Sequence, residues 1–72
     1  MLIGELARQT GVASRTLRFY EDQDLLPPPD RTPAGYRTYP ERAADRVRFI
    51  KDAQAAGFTL AEIREILTIR DG

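Results

Sequence analysis

Cysteine, histidine and tryptophan are all missing from these 72 residues. Without cysteine there is no disulfide to brace a small core and no thiolate to hold a metal. Without histidine the commonest general base and the commonest metal ligand are gone as well. No pair of carboxylates falls in an evident pocket, so there is no catalytic constellation, and neither an enzyme nor a bound cofactor is expected. No apolar run approaches the length of a membrane span, and the N-terminus lacks the pattern of a secretory signal. The expectation is one soluble, cytoplasmic domain over residues 1–72, close to the lower size at which a single core stabilises itself. An excess of charge is missing too. Eleven Lys and Arg balance eleven Asp and Glu. Any attraction for a polyanion must therefore come from local placement of charge. Ten of the eleven bases are Arg, whose planar fork suits phosphate and guanine edges.

What is present is organised around Gly11–Glu21. Before it, Ile3, Leu6 and Ala7 fall at i, i+3, i+4 and predict a short helix over Ile3–Thr10, with Glu5 in the first turn where a carboxylate suits the helix dipole. Gly11 can end that helix in the left-handed conformation. A second helix is predicted from Ala13 or Ser14 to Asp22, with Ser14 as its N-cap. Ala13, Leu17 and Tyr20 cluster on its inner side; Ser14, Arg15 and Arg18 form the other, with Phe19 between. Two helices joined by a glycine turn, the second with an arginine edge, are the parts of a helix-turn-helix DNA reader. Glu21, Asp22 and Asp24 follow and would repel phosphate, so the N-terminal half of this helix is expected to do the reading.

Pro27-Pro28-Pro29 stops the helix and sets a stiff path. Asp30–Tyr39 then predicts a small hairpin, or wing. Thr32-Pro33-Ala34-Gly35 supplies the turn, and Tyr36-Arg37-Thr38-Tyr39 favours a strand with Arg37 and Tyr39 on one face. Arg31 enters the turn and Arg37 leaves it. Pro40 is expected at the first position of a third helix, which carries Ala43, Ala44, Val47, Ile50 and Gln54 on one stripe and ends at Gly57. Thr59-Leu60-Ala61-Glu62 is a capping box opening a fourth helix, with Leu60, Ile63, Ile66 and Leu67 as its apolar stripe. The fold expected is mainly α: a winged helix-turn-helix of about four helices with a small β-hairpin wing.

These residues resemble the DNA-binding domain of the MerR family of bacterial transcription regulators. The resemblance runs from about Leu2 to Leu67. It is carried by Ile3-Gly4-Glu5-Leu6-Ala7, Thr10-Gly11-Val12, Thr16-Leu17-Arg18-Phe19-Tyr20-Glu21, Leu25-Leu26-Pro27-Pro28, Arg31, Gly35-Tyr36-Arg37-Thr38-Tyr39, Arg48-Phe49-Ile50 and Gly57-Phe58-Thr59-Leu60-Ala61-Glu62-Ile63. It implies that the second helix enters the major groove and the wing grips the flanking backbone. Ser14, Arg15 and Arg18 would face the groove, Tyr20 would turn its hydroxyl to a phosphate, and Arg31, Tyr36 and Arg37 would hold phosphates from the wing. Family members are homodimers, joined through a long helix after the fourth, and carry an effector domain. They bind a pseudo-palindrome in promoter DNA and distort it so that RNA polymerase engages both promoter elements. Neither the dimerisation helix nor the effector domain is present in residues 1–72, so the chain is expected to be cut from a longer protein or completed by another subunit. The chain departs from the family at Ala13, where Ser or Thr is usual; at Phe19, where a Tyr hydroxyl is usual; at Pro40, where a capping residue is usual; and at Gln54, where a base is usual.

Two other readings compete. One is a stand-alone, excisionase-like DNA-architectural factor on a related winged fold. The other is a small protein-interaction module that uses the last helix and the triple proline as contact surfaces.

Overall fold

The computed structural model describes residues 1–72. In chain order it has α1 (Ile3–Thr10), α2 (Ser14–Asp22), β1 (Asp30–Arg31), β2 (Arg37–Thr38), α3 (Arg42–Ala55) and α4 (Leu60–Asp71). The expected mainly α arrangement of four helices and a two-stranded wing is therefore the observed one. No helix is long and apolar enough to cross a membrane.

The core is a single cluster to which every helix contributes. Leu6 of α1, Leu17 and Tyr20 of α2, Val47 and Ile50 of α3, and Ile63 and Leu67 of α4 meet there. Leu25 and Leu26 join from the α2–wing connection, and Tyr39 from the end of the wing. The two-helix unit is tight because its turn is satisfied locally and from outside. Gly11 adopts φ 71° and its N–H donates to the Ala7 carbonyl at 2.9 Å, the left-handed stop that its lack of a Cβ permits. Two cations on α3 then close on the carbonyl end of α1: Arg48 donates to Gln9 O at 3.1 Å and Lys51 to Thr10 O at 3.3 Å, where positive charge suits the helix dipole.

Two helix starts differ from expectation. Ser14 does not cap α2. Ala13 is the N-cap residue, extended at φ −62°, ψ 146°, and its carbonyl accepts from Thr16 N–H at 2.9 Å and Leu17 N–H at 3.1 Å. Ser14 is thus the first helical residue, one place too far along for its hydroxyl to reach back over the open amides. Pro40 likewise does not open α3. Glu41 already has helical dihedrals, and Pro40 precedes it, offering its carbonyl to Ala43 N–H at 3.0 Å. A residue before proline is pushed towards extended backbone, and Tyr39 uses that geometry to pair with Met1, accepting and donating backbone hydrogen bonds of 2.6 Å.

The stops of α2 and α3 share one design. At the end of α3, Gly57 N–H donates to Gln54 O and Phe58 N–H to Ala53 O, with Gly57 at φ 99°. At the end of α2, Asp24 N–H donates to Glu21 O and Leu25 N–H to Tyr20 O, with Asp24 at φ 60°. Both are Schellman motifs. The expected capping box of α4 forms in full: Glu62 N–H donates to Thr59 Oγ1 at 3.1 Å, and Thr59 N–H to Glu62 Oε1 at 2.9 Å.

Candidate nucleic-acid interface

The wing is a two-stranded antiparallel ribbon in which Asp30 pairs with Thr38 and Arg31 with Arg37. Its turn is held by Gly35 N–H to Thr32 O at 2.8 Å and Thr32 N–H to Tyr36 O at 2.8 Å, with Gly35 at φ 88°. The register sets the two arginines directly opposite each other. Side chains at opposed positions share a face and stand close, and like charges there repel. Each guanidinium has one internal partner. Arg31 donates to Gly35 O at 3.1 Å, and Arg37 lies 3.9 Å from a Glu21 carboxylate oxygen.

Arg31 and Arg37 line a cleft between the wing, the N-terminal end of α1 and the flank of α2. Arg18, Tyr36 and Arg8 line it too. Four of the seven residues predicted for DNA binding (Arg18, Arg31, Tyr36 and Arg37) are therefore brought to one place from parts of the chain up to nineteen positions apart. Arg8 and the start of α1 belong to the same cleft and were not singled out in the sequence; Arg8 is also paired with Glu5.

The other three predicted residues stand apart from the cleft. Arg15 is exposed on the outer side of α2. Ser14 is half-buried at its first turn. Tyr20 is buried, and its hydroxyl donates to Gln54 Oε1 at 2.7 Å. The proton assigned to a phosphate by the resemblance is thus directed at α3 in this arrangement, and Gln54, which replaces the usual base, is what receives it. Burial raises the Tyr20 pKa above the ordinary phenol value, so the hydroxyl keeps that proton.

Sequence reasoning placed Glu21 among acids that would repel phosphate. Its side chain is only 15% exposed and faces inward to the wing, where it accepts a hydrogen bond from the Tyr39 hydroxyl at 2.9 Å and sits beside Arg37. The residues left exposed on α2 are Arg15, Arg18, Phe19 and Asp22, an i, i+3, i+4, i+7 stripe. That spacing was the signal that would have put Phe19 on the outer face rather than between faces.

Residues 1–68 match the family described as MerR HTH family regulatory protein. The mercuric resistance operon regulatory protein of Bacillus cereus is 49% identical over 69 residues, which are 96% of this chain and 52% of that protein. The HTH-type transcriptional regulator ZntR of Escherichia coli K12 is 44% identical over 68 residues, 94% of this chain and 48% of that one. Among solved structures, the transcription regulator PbrR691 of Ralstonia metallidurans CH34, in complex with lead(II), superposes with a TM-score of 0.91 at 42% identity, covering 99% of this chain and 56% of that one. The chain spans about half the length of the curated relatives it matches.

Proposed function

Because the chain belongs to the MerR family of regulators and spans its helix-turn-helix DNA-binding domain, we propose that it binds bacterial promoter DNA with α2 in the major groove and the wing on the flanking backbone. The observation that carries this reading is the cleft lined by Arg18, Arg31 and Arg37, the last two paired across the wing with Arg37 beside Glu21 and Arg31 bonded only to a carbonyl. A phosphate in that cleft can accept from more than one arginine fork. Net charge is zero over the chain, so this local field, not bulk attraction, supplies the affinity.

The roles divide by position. Arg31, Tyr36 and Arg37 hold phosphates from the wing, and Arg18, which shares their cleft, works with them on the backbone. Such contacts fix register without reading sequence. Arg15 and the open first turn of α2 at Ser14 face the base edges. There the uncapped amides add donors and the positive end of the helix dipole. Tyr20 contributes its ring to the core and steadies Gln54, whose amide nitrogen is then the donor left to reach a phosphate.

In its full setting the domain acts in the cytoplasm as half of a homodimer on a pseudo-palindromic promoter site. It distorts the DNA so that RNA polymerase engages both promoter elements, and its action is binding rather than catalysis. The names of two relatives point to mercury and lead for those proteins; the proposal for this chain concerns the DNA-binding part, and what it responds to is left to the portion of the relatives that it does not cover.

Titration of a promoter duplex at several salt concentrations tests the reading. Binding should weaken steeply with salt, because neutralised phosphates release counterions. Arg18→Ala, Arg31→Ala and Arg37→Ala should each weaken binding to all sequences and lower the log–log salt slope by about 1. Three variants with the parent's slope would remove the cleft from the interface.

A further inference from the structure

Phe19 is a large apolar side chain left 46% exposed at the edge of a charged stripe. Arg15, Arg18 and Asp22 are its neighbours on the outer side of α2, all exposed. Leu17 and Tyr20 fill the inner side of the helix, so Phe19 is not needed to close the core. It is not loose either. Its ring lies against Tyr20, with centroids 6.5 Å apart and planes tilted by 48°, and Tyr20 is itself fixed in the core and tied to Gln54. The ring therefore presents an oriented apolar face beside Arg15, one turn along the same side of the helix.

Phosphate oxygens and the nitrogen and oxygen atoms of base edges gain nothing from a phenyl ring. The major groove offers one strongly apolar group, the 5-methyl of thymine. We infer that Phe19 is a specificity-determining residue that packs its ring on a thymine methyl group, giving the α2 surface a preference for a T·A pair at one position of each half-site. The inference rests on the major-groove placement of α2 proposed above. The arginines of the same helix strengthen it. On that reading Arg15 holds base edges and Arg18 the backbone, and both fix the register of the helix, so the ring has little freedom to slide to another base pair. A hydroxyl on the ring would bring a polar atom that needs a partner beside the methyl, so the phenyl form is the better reader of thymine.

A duplex pool with randomised half-sites, selected at low salt by the 72-residue chain, tests the inference. The selected half-site should contain one fixed thymine that is lost when selection is repeated with Phe19→Ala, while the other preferences persist. Replacing that thymine by deoxyuridine removes only the methyl. It should weaken binding of the parent about fourfold, the loss expected for one buried methyl, and leave the binding of Phe19→Ala unchanged. Equal binding of the thymine and uracil duplexes by the parent would overturn the inference while leaving DNA binding itself intact. So would a uniform loss for Phe19→Ala on every sequence, which would put the ring on the sugar–phosphate backbone. Failure of the parent to bind any duplex would overturn both the inference and the reading beneath it. The uracil comparison uses unaltered protein, so it stands even where Phe19→Ala folds poorly.

Discussion

At the scale of the residue, Tyr39 is where the wing and α2 are joined. It is 3% exposed, and its hydroxyl donates to Glu21 on α2. Burial, the hydrogen bond to Glu21 and the nearby carboxylate charge all disfavour the phenolate, and together they push the Tyr39 pKa from 10.0 up to about 12. The sign of the linkage follows. The unfolded chain releases this proton first, so the stabilisation is complete below about pH 10 and is lost as pH rises towards 12. Within that window stability should fall by at most about 1.4 kcal/mol per pH unit from this group. Thermal melts followed by circular dichroism across that range should show the loss, with the tyrosinate absorbance rising as the protein unfolds. Tyr39→Phe keeps the ring and removes the titration, so its melting temperature should depend less steeply on alkaline pH. An unchanged dependence would mean that burial and Glu21 do not hold the phenol in its protonated form.

At the scale of the element, the two Schellman stops make a matched pair with different residues at the left-handed position. Gly57 occupies it at the end of α3 and Asp24 at the end of α2. Nothing lies within 4 Å of where a Cβ on Gly57 would stand, so Gly57→Ala meets no clash and its cost is that of the backbone alone, about 1–2 kcal/mol. Asp24 already bears part of such a cost, less because a short polar side chain tolerates this region. Asp24→Gly should therefore stabilise the domain by up to about 1 kcal/mol, and urea denaturation midpoints should move in opposite directions for the two variants. Thr59→Ala, which removes half of the capping box, should cost about 1 kcal/mol in the same assay. These ends were legible in the sequence because they are local: Gly57-Phe58-Thr59 and Glu62 signal their geometry within six residues. Asp24 carried no such signal. Nor did the ties between elements. Arg64 of α4 donates to Gln23 O at 2.7 Å and Gln23 Oε1 at 3.1 Å, closing the end of α2 from 41 positions away. Tyr20–Gln54 and Tyr39–Glu21 span 34 and 18 positions. Periodicity names a helix face but not its partner, so Glu21 looked like a solvated acid and Tyr20 like a free hydroxyl. The arginines of the site were legible as residue types. Their opposition across the wing needed the strand register.

At the scale of the whole molecule, the distances involved limit what one copy can do. The helix α2 has nine residues, about 13 Å at 1.5 Å per residue, whereas half-sites read from one side of a duplex lie about 34–36 Å apart, one helical turn. On the proposed reading one α2 occupies one half-site while the wing holds the adjacent backbone, and it cannot reach a second. Under the proposed function, spacing is therefore read by two copies. Joining two copies of residues 1–72 through an appended dimeric coiled coil makes the second binding event intramolecular, without adding any contact to DNA. Where the linker lets both α2 helices engage, such coupling raises affinity by about 10²–10⁴. The joined chain should therefore bind an inverted repeat far more tightly than the single copy does, and should lose most of that gain when a few base pairs inserted between half-sites rotate them onto different faces of the duplex. The single copy should bind both duplexes alike. A joined chain indifferent to the inserted base pairs would contradict two-site engagement, and the wing would then have to account for whatever spacing preference the protein shows.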